Sequence, residues 1–173
     1  MDMDMDAEKA KFAGFGIGTP EFTFAGMETW ARVVSVYDGD TVTIVFPMAT
    51  GMNKFSARLF GIDTCEMKSK EVNNRALAIR ARNRLLELIT GRAIAGEAPL
   101  SKKEIVQLLS EDVYIVWIEC MEFDKYGRIL LRMYSGPDKK DKSFSDVLVD
   151  EKLAYQYFGE TKLSESDQTH CLS

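Results

Sequence analysis

A chain of 173 residues can bury one hydrophobic core without disulfide staples, and 46% hydrophobic with 28% charged residues is an ordinary globular balance. Three cysteines (Cys65, Cys120, Cys171) are too few and odd in number for a disulfide framework, and no apolar run approaches membrane-spanning length. A net charge of −5 argues against a protein that coats nucleic acid by bulk attraction.

Residues 1–29 read as an extension. The opening Met-Asp repeat has neither the basic start nor the apolar stretch of a secretory signal, so an intracellular location is the expectation, and the first few residues are expected to be disordered. Phe12, Phe15, Phe22 and Phe24, spaced by Gly14, Gly16 and Gly18, are expected to drape on the core.

Strand signals follow. Val33, Val34 and Val36 lead into Asp38-Gly39, a dipeptide favoured in tight hairpin turns because glycine tolerates positive φ. Beyond it Val42, Ile44 and Phe46 alternate with Thr41, Thr43 and Val45, the period of a half-buried strand. A third strand is predicted over 54–61, with Phe55, Ala57 and Leu59 on one face and Ser56 and Arg58 on the other, joined to the second by 47–53.

From 74 to 90 the period lengthens. Leu77, Ala81, Leu85 and Leu88 form one stripe of an amphipathic helix that Gly91 stops, with Arg75, Arg80, Arg82 and Arg84 over the remaining surface. Residues 92–112 read as an insertion in which Ser101 and Glu104 make a capping box for a short helix carrying Ile105, Leu108 and Leu109. Two more strands, 113–119 and 128–134, flank a turn at 124–127, and Ser143 caps a last helix bearing Val147, Leu148 and Leu153. Five strands with two or three appended helices suit an α+β, mainly β fold: a small closed barrel of the OB type, which removes exposed edges and offers a face to single strands.

The acid excess lies at the two ends of the chain. Residues 1–29 hold six acids against two lysines, and residues 159–173, read as a tail, three acids against one lysine, which leaves 30–158 near neutral. A near-neutral core predicts a weak, transient grip on a polyanion, suited to an enzyme that releases its product.

Three short polar runs stand out: Asp38-Gly39-Asp40-Thr41, then Arg58 with Ile62-Asp63-Thr64-Cys65-Glu66, then Asp124-Lys125-Tyr126-Gly127-Arg128. Singly each has a plain structural reading, as a hairpin, a strand end with a capping aspartate, and a turn in which Asp124 pairs with Arg128. Together they offer carboxylates for a hard cation, a further carboxylate to work on water, and two guanidinium forks that match phosphate oxygens. Soft-metal alternatives fit poorly, because no two cysteines are spaced as ligands and His170 is the single histidine.

In order and spacing the three runs resemble those of the staphylococcal nuclease-like (thermonuclease) family, over about residues 30–158. The resemblance implies an OB-type barrel and a Ca²⁺ ion held by Asp40, Asp63 and the main-chain carbonyl of Thr64. It implies Glu66 as general base, Arg58 and Arg128 as catalytic arginines, and Lys125 and Tyr126 near a terminal phosphate. The activity implied is hydrolysis of DNA and RNA, unpaired strands preferred, with little sequence specificity and with 3′-phosphate ends. No membrane partner is implied, and a monomer is the expectation. The alternative is a catalytically weak module of the same barrel that binds nucleic acid or protein, as in the repeated domains of the Tudor nuclease proteins.

The chain also departs from the family pattern. Cys65 stands where the family usually has proline, directly before Glu66, and reads as a small buried thiol. The 92–112 insertion has no family counterpart, and the long third helix of secreted members is expected to be missing. Tyr155 and Tyr157 resemble tyrosines beside the nucleotide pocket, with core packing an equal alternative.

Overall fold

In the second strand the alternation settles which side chains face inward: Val42, Ile44 and Phe46 are buried, and Thr43 and Val45 between them are only half-buried. The computed structural model describes residues 4–172 and shows how the other strands close around this one. Five strands form a barrel: β1 (Glu28–Val36), β2 (Thr41–Met48), β3 (Gly51–Leu59), β5 (Ile115–Phe123) and β6 (Ile129–Tyr134). Their order around the barrel is β1-β2-β3-β6-β5, closed by antiparallel pairing of β1 with β5 and parallel only between β3 and β6. This is a Greek-key barrel of the OB type, α+β and mainly β. The strands at 62–63 and 155–156, β4 (Ile62–Asp63) and β7 (Tyr155–Gln156), make a separate two-stranded ribbon in which Asp63 stands opposite Tyr155.

Phe46, Ile44, Leu59, Ile118, Leu131 and Met133 fill the barrel. Phe24 plugs one end, its ring 5.6 Å from Phe46 and 5.4 Å from Phe55, with Phe22 edge-on against it at 4.7 Å. Of the four phenylalanines expected to drape on the core, Phe24 is buried, Phe22 leans on it, and Phe12 and Phe15 stand exposed. The Met-Asp repeat corrects the expectation of disorder from residue 4 onward. Asp4 caps a helix, α1 (Met5–Phe12), by accepting from the amides of Asp6 and Ala7, and α1 buries no residue. The expectation for residues 1–3 lies outside the described residues.

The helices number five among the described residues, where two or three were expected. α2 (Val72–Thr90) ends at Gly91 in the left-handed conformation at φ 68°, as its pattern predicts. α3 (Lys102–Ser110) has both hydrogen bonds of the capping box and packs Ile105 and Leu109 into the barrel core. α4 (Phe144–Asp150), capped by Ser143, ends before Leu153. α5 (Glu165–Leu172) lies in the stretch read as a tail. It docks on α2 through Asn74, which donates to the Glu165 carbonyl at 2.8 Å and accepts from Thr169 at 2.6 Å. The link 47–53 is shorter than expected, because Pro47 and Met48 continue β2 and pair with Met52 and Gly51.

Arg82 departs from the expected surface position. It is buried, donating from Nη2 to the Ala98 carbonyl at 3.2 Å, while the neighbouring Asn83 amide bonds the carbonyls of Ala95, Gly96 and Ala98. These bonds satisfy the main chain of a stretch with no secondary structure of its own and fix it to α2. Among the described residues no helix is long and apolar enough to cross a membrane.

Candidate active site

The β1–β2 turn, the end of β3, the β4–β7 ribbon and the β5–β6 turn all open onto one side of the barrel. Asp40 leaves the first turn buried, at 4% exposure. Its amide donates to Asp38 Oδ1 at 3.1 Å, so Asp38 shapes the turn through its side chain. Gly39 is needed for a reason other than positive φ. A Cβ there would lie 2.7 Å from Ala81 Cβ and 2.8 Å from Thr64 Cγ2, so only glycine lets the turn press against α2 and the Asp63–Thr64 segment.

Arg58 reaches this turn from β3. Its Nη2 lies 3.0 Å from Asp40 Oδ2 and 2.7 Å from Asp63 Oδ1, and its side chain is 9% exposed. One guanidinium nitrogen thus joins two buried carboxylates. Thr64 N donates to Asp40 Oδ2 at 3.3 Å, and Thr41 Oγ1 donates to Asp40 Oδ1 at 3.2 Å. Tyr155 OH donates to Asp63 Oδ2, the contact that the β4–β7 register sets up. From the far side Lys162 brings Nζ to 3.0 Å from Asp63 Oδ1. Burial, then the charges of Asp38 and Asp63, push the Asp40 carboxyl well above its ordinary range despite Arg58. Burial, then the hydrogen bond to Asp63, raises the Tyr155 phenol, which keeps it a proton donor to that carboxylate.

Two clefts meet here. A polar one of about 320 Å³ is lined by Asp38, Asp40, Arg58, Asp63, Glu66 and Arg128, among others. A larger one of about 690 Å³ is lined by Lys125, Tyr126, Tyr157 and Phe158. Arg58, Arg128 and Lys162 border both. The rings of Tyr126 and Tyr157 sit under these cations, Arg128 at 5.4 Å from the first and Arg58 at 5.6 Å from the second.

The structure therefore gathers the side chains of Asp40, Arg58, Asp63, Glu66 and Arg128, with Thr64, around the polar cleft, and places Lys125 and Tyr126 on the adjoining one. Glu66 is exposed at the rim. Arg128 donates from Nε to Asp124 Oδ2 at 2.6 Å, the pairing anticipated for that turn, and the Asp124 oxygens also take the amides of Tyr126 and Arg128.

Cys65 is buried beneath the site with Leu77, Ala78, Tyr155 and Leu172. Burial, then the charges of Asp63 and Glu66, push its thiol up to about 11, which makes it an inert packing group. Leu172 of α5 belongs to this cluster, so the stretch read as a tail packs beneath the segment that carries Cys65. The sequence reading missed Lys162 altogether, since a lone lysine in an acidic tail carries no local signal.

Among the described residues no three Asp, Glu, His or Cys side chains cluster closely enough to enclose a metal by themselves. The donor set nonetheless fits a hard cation that takes part of its shell from main-chain carbonyls and water. Asp40 and Asp63 are two buried carboxylates joined through one nitrogen, in a cleft whose lining is mainly polar. No protein-family model and no curated protein matches the chain.

Proposed function

We propose that this chain is a Ca²⁺-dependent phosphodiesterase of the staphylococcal nuclease-like kind. Its substrates are DNA and RNA, preferentially unpaired, cut with little sequence specificity to leave 3′-phosphate and 5′-hydroxyl ends. The observation that carries this reading is the meeting of Asp40, Asp63, Arg58, Arg128 and Glu66, drawn from three distant segments, around one polar cleft.

Asp40, Asp63 and the Thr64 carbonyl are the groups that would hold Ca²⁺, and the bound ion would supply positive charge beside the scissile phosphate. Arg58 and Arg128 both line that cleft. Charge builds on the equatorial phosphate oxygens as the reaction proceeds, so donors already fixed there lower the barrier more than they tighten the ground state. Asp124 fixes Arg128 through Nε and leaves the Nη edge of the fork for phosphate. Glu66, exposed at the rim, takes a proton from the attacking water. The water oxygen bonds to phosphorus, the bond from phosphorus to the 5′-oxygen breaks, and that oxygen leaves with a proton from solvent.

The larger cleft suits the neighbouring nucleotide: Tyr126, Tyr157 and Phe158 offer ring faces, and Lys125 offers charge. A binding module without catalysis is favoured by one observation, the Asp124–Arg128 pair, which gives Arg128 a structural role within its own turn. Incubating single-stranded DNA with the protein in Ca²⁺ and then in chelator separates the two. Cleavage is expected only with Ca²⁺, and Arg128→Lys should lower kcat by roughly 100- to 1,000-fold, the scale of a lost transition-state donor. Binding without cleavage under both conditions would favour the module.

A further inference from the structure

Among the described residues, Lys162 is the one cation at the site that the mechanism above leaves without a task. It lies on the segment between β7 and α5, which is anchored at both ends. The ribbon pairs Gln156 with Ile62, and at the other end Ser69 Oγ donates to Glu165 at 2.8 Å. Within that segment Phe158 packs over Gly61, where a Cβ would meet its ring at 3.2 Å, and edge-on against Phe60 at 5.8 Å. The segment thus lines the larger cleft between its two anchors, and it holds Lys162 Nζ 3.0 Å from Asp63 Oδ1 and 5.9 Å from the Tyr157 ring centre.

Asp63 Oδ1 is the oxygen that Arg58 also takes, at 2.7 Å, while Tyr155 takes Oδ2. Asp63 Oδ1 therefore carries two side-chain cations, Arg58 and Lys162, while Asp40 shares only the first. A divalent ion on those carboxylates would compete with Lys162 for the oxygen that the lysine holds. Arg58 is enclosed in the barrel wall, whereas the Lys162 side chain is 47% exposed, so the lysine is the group free to move. It already borders both clefts, so a rotation about its own side chain keeps it beside a phosphate.

Resting on the phosphodiesterase reading, we propose that Lys162 is a third phosphate ligand of the site. It stands in for the divalent cation on Asp63 in the cation-free protein and passes to the substrate phosphate when the cation takes that carboxylate.

The test compares wild type, Lys162→Met and Lys162→Arg. Calcium binding is measured by titration calorimetry without substrate, and KM and kcat are measured on a single-stranded oligonucleotide. Loss of a half-exposed competing charge should tighten Ca²⁺ binding of Lys162→Met about fivefold. Loss of a charge-assisted contact should raise its KM about tenfold with kcat changed far less, and Lys162→Arg should restore most of the KM. Asp63 keeps Arg58 and Tyr155 in both variants, so neither is expected to unfold. Calcium affinity that is unchanged or weaker in Lys162→Met would overturn the stand-in role, and an unchanged KM would overturn the phosphate role. A wild-type protein that binds no Ca²⁺ and cleaves nothing would overturn the phosphodiesterase reading and this proposal together. Normal wild-type behaviour with an indifferent variant would overturn this proposal alone.

Discussion

Replacing Arg58 by methionine in chelator leaves Asp40 and Asp63 in place without the guanidinium that joins them. Both carboxylates are under 5% exposed, and the bonds lost are 3.0 and 2.7 Å long. Stranding a buried charge costs about 3–5 kcal/mol. The lower end applies here, because Asp63 keeps Tyr155 and Lys162 and Asp40 keeps Thr41 and the Thr64 amide. Asp40→Asn should behave oppositely. Burial raises the Asp40 carboxyl above its unfolded value, so its contribution to stability is fully present below about pH 4 and is lost as pH rises through the native value. At pH 7 without calcium, Asp40→Asn should therefore be neutral or stabilising, and this advantage should vanish near pH 3. In the double variant the stranded charge on Asp40 is gone, so about 1–3 kcal/mol of the Arg58→Met loss should return, within the range for directly coupled residues. Urea unfolding followed by circular dichroism, at both pH values, reads all four corners of the cycle. Additive effects, or a loss above about 2 kcal/mol for Asp40→Asn at pH 7, would refute the picture of two carboxylates sharing one cation.

Three further outcomes follow from the same geometry. Tyr155→Phe removes the donor to Asp63 Oδ2 and should lower stability by about 1–2 kcal/mol in a denaturant titration. Gly39→Ala forces a methyl group against Ala81 and Thr64, and should cost about 1–3 kcal/mol in the same titration while lowering activity through displacement of Asp40. In a thiol titration of the native protein at pH 8, exposed Cys171 should react promptly. Cys65 and Cys120, both buried with thiols pushed up to about 11, should wait for unfolding.

The barrel was legible where its signals are local. Alternation in β2, the glycine stop of α2 and the Ser101–Glu104 box each depend on residues a few positions apart, and each stands as read. What escaped was set by distant partners. Tyr155 meets Asp63 across a ribbon of two residues per strand, too short to show any period. Arg82 lies buried because the 95–98 main chain needs its donor, which an arginine on an amphipathic helix does not announce. Gly39 looked like a turn glycine and proves to be a contact glycine, since its neighbour Ala81 belongs to a helix that begins more than thirty residues later. The acidic end of the chain concealed both α5 and Lys162, because composition reports the exposed face of a segment and says nothing of the few residues that dock.

The phosphodiesterase account stands or falls on where oxygen from water ends up. Cleaving a single-stranded oligonucleotide in ¹⁸O-enriched water with Ca²⁺, and weighing the fragments by mass spectrometry, reads this directly. The account predicts one heavy oxygen in each new 3′-phosphate, unlabelled 5′-hydroxyl ends, and a rate lowered at least 100-fold in Glu66→Gln, the scale of lost general-base catalysis. Label in 5′-phosphate ends, or an intact oligonucleotide after incubation with Ca²⁺, would contradict it.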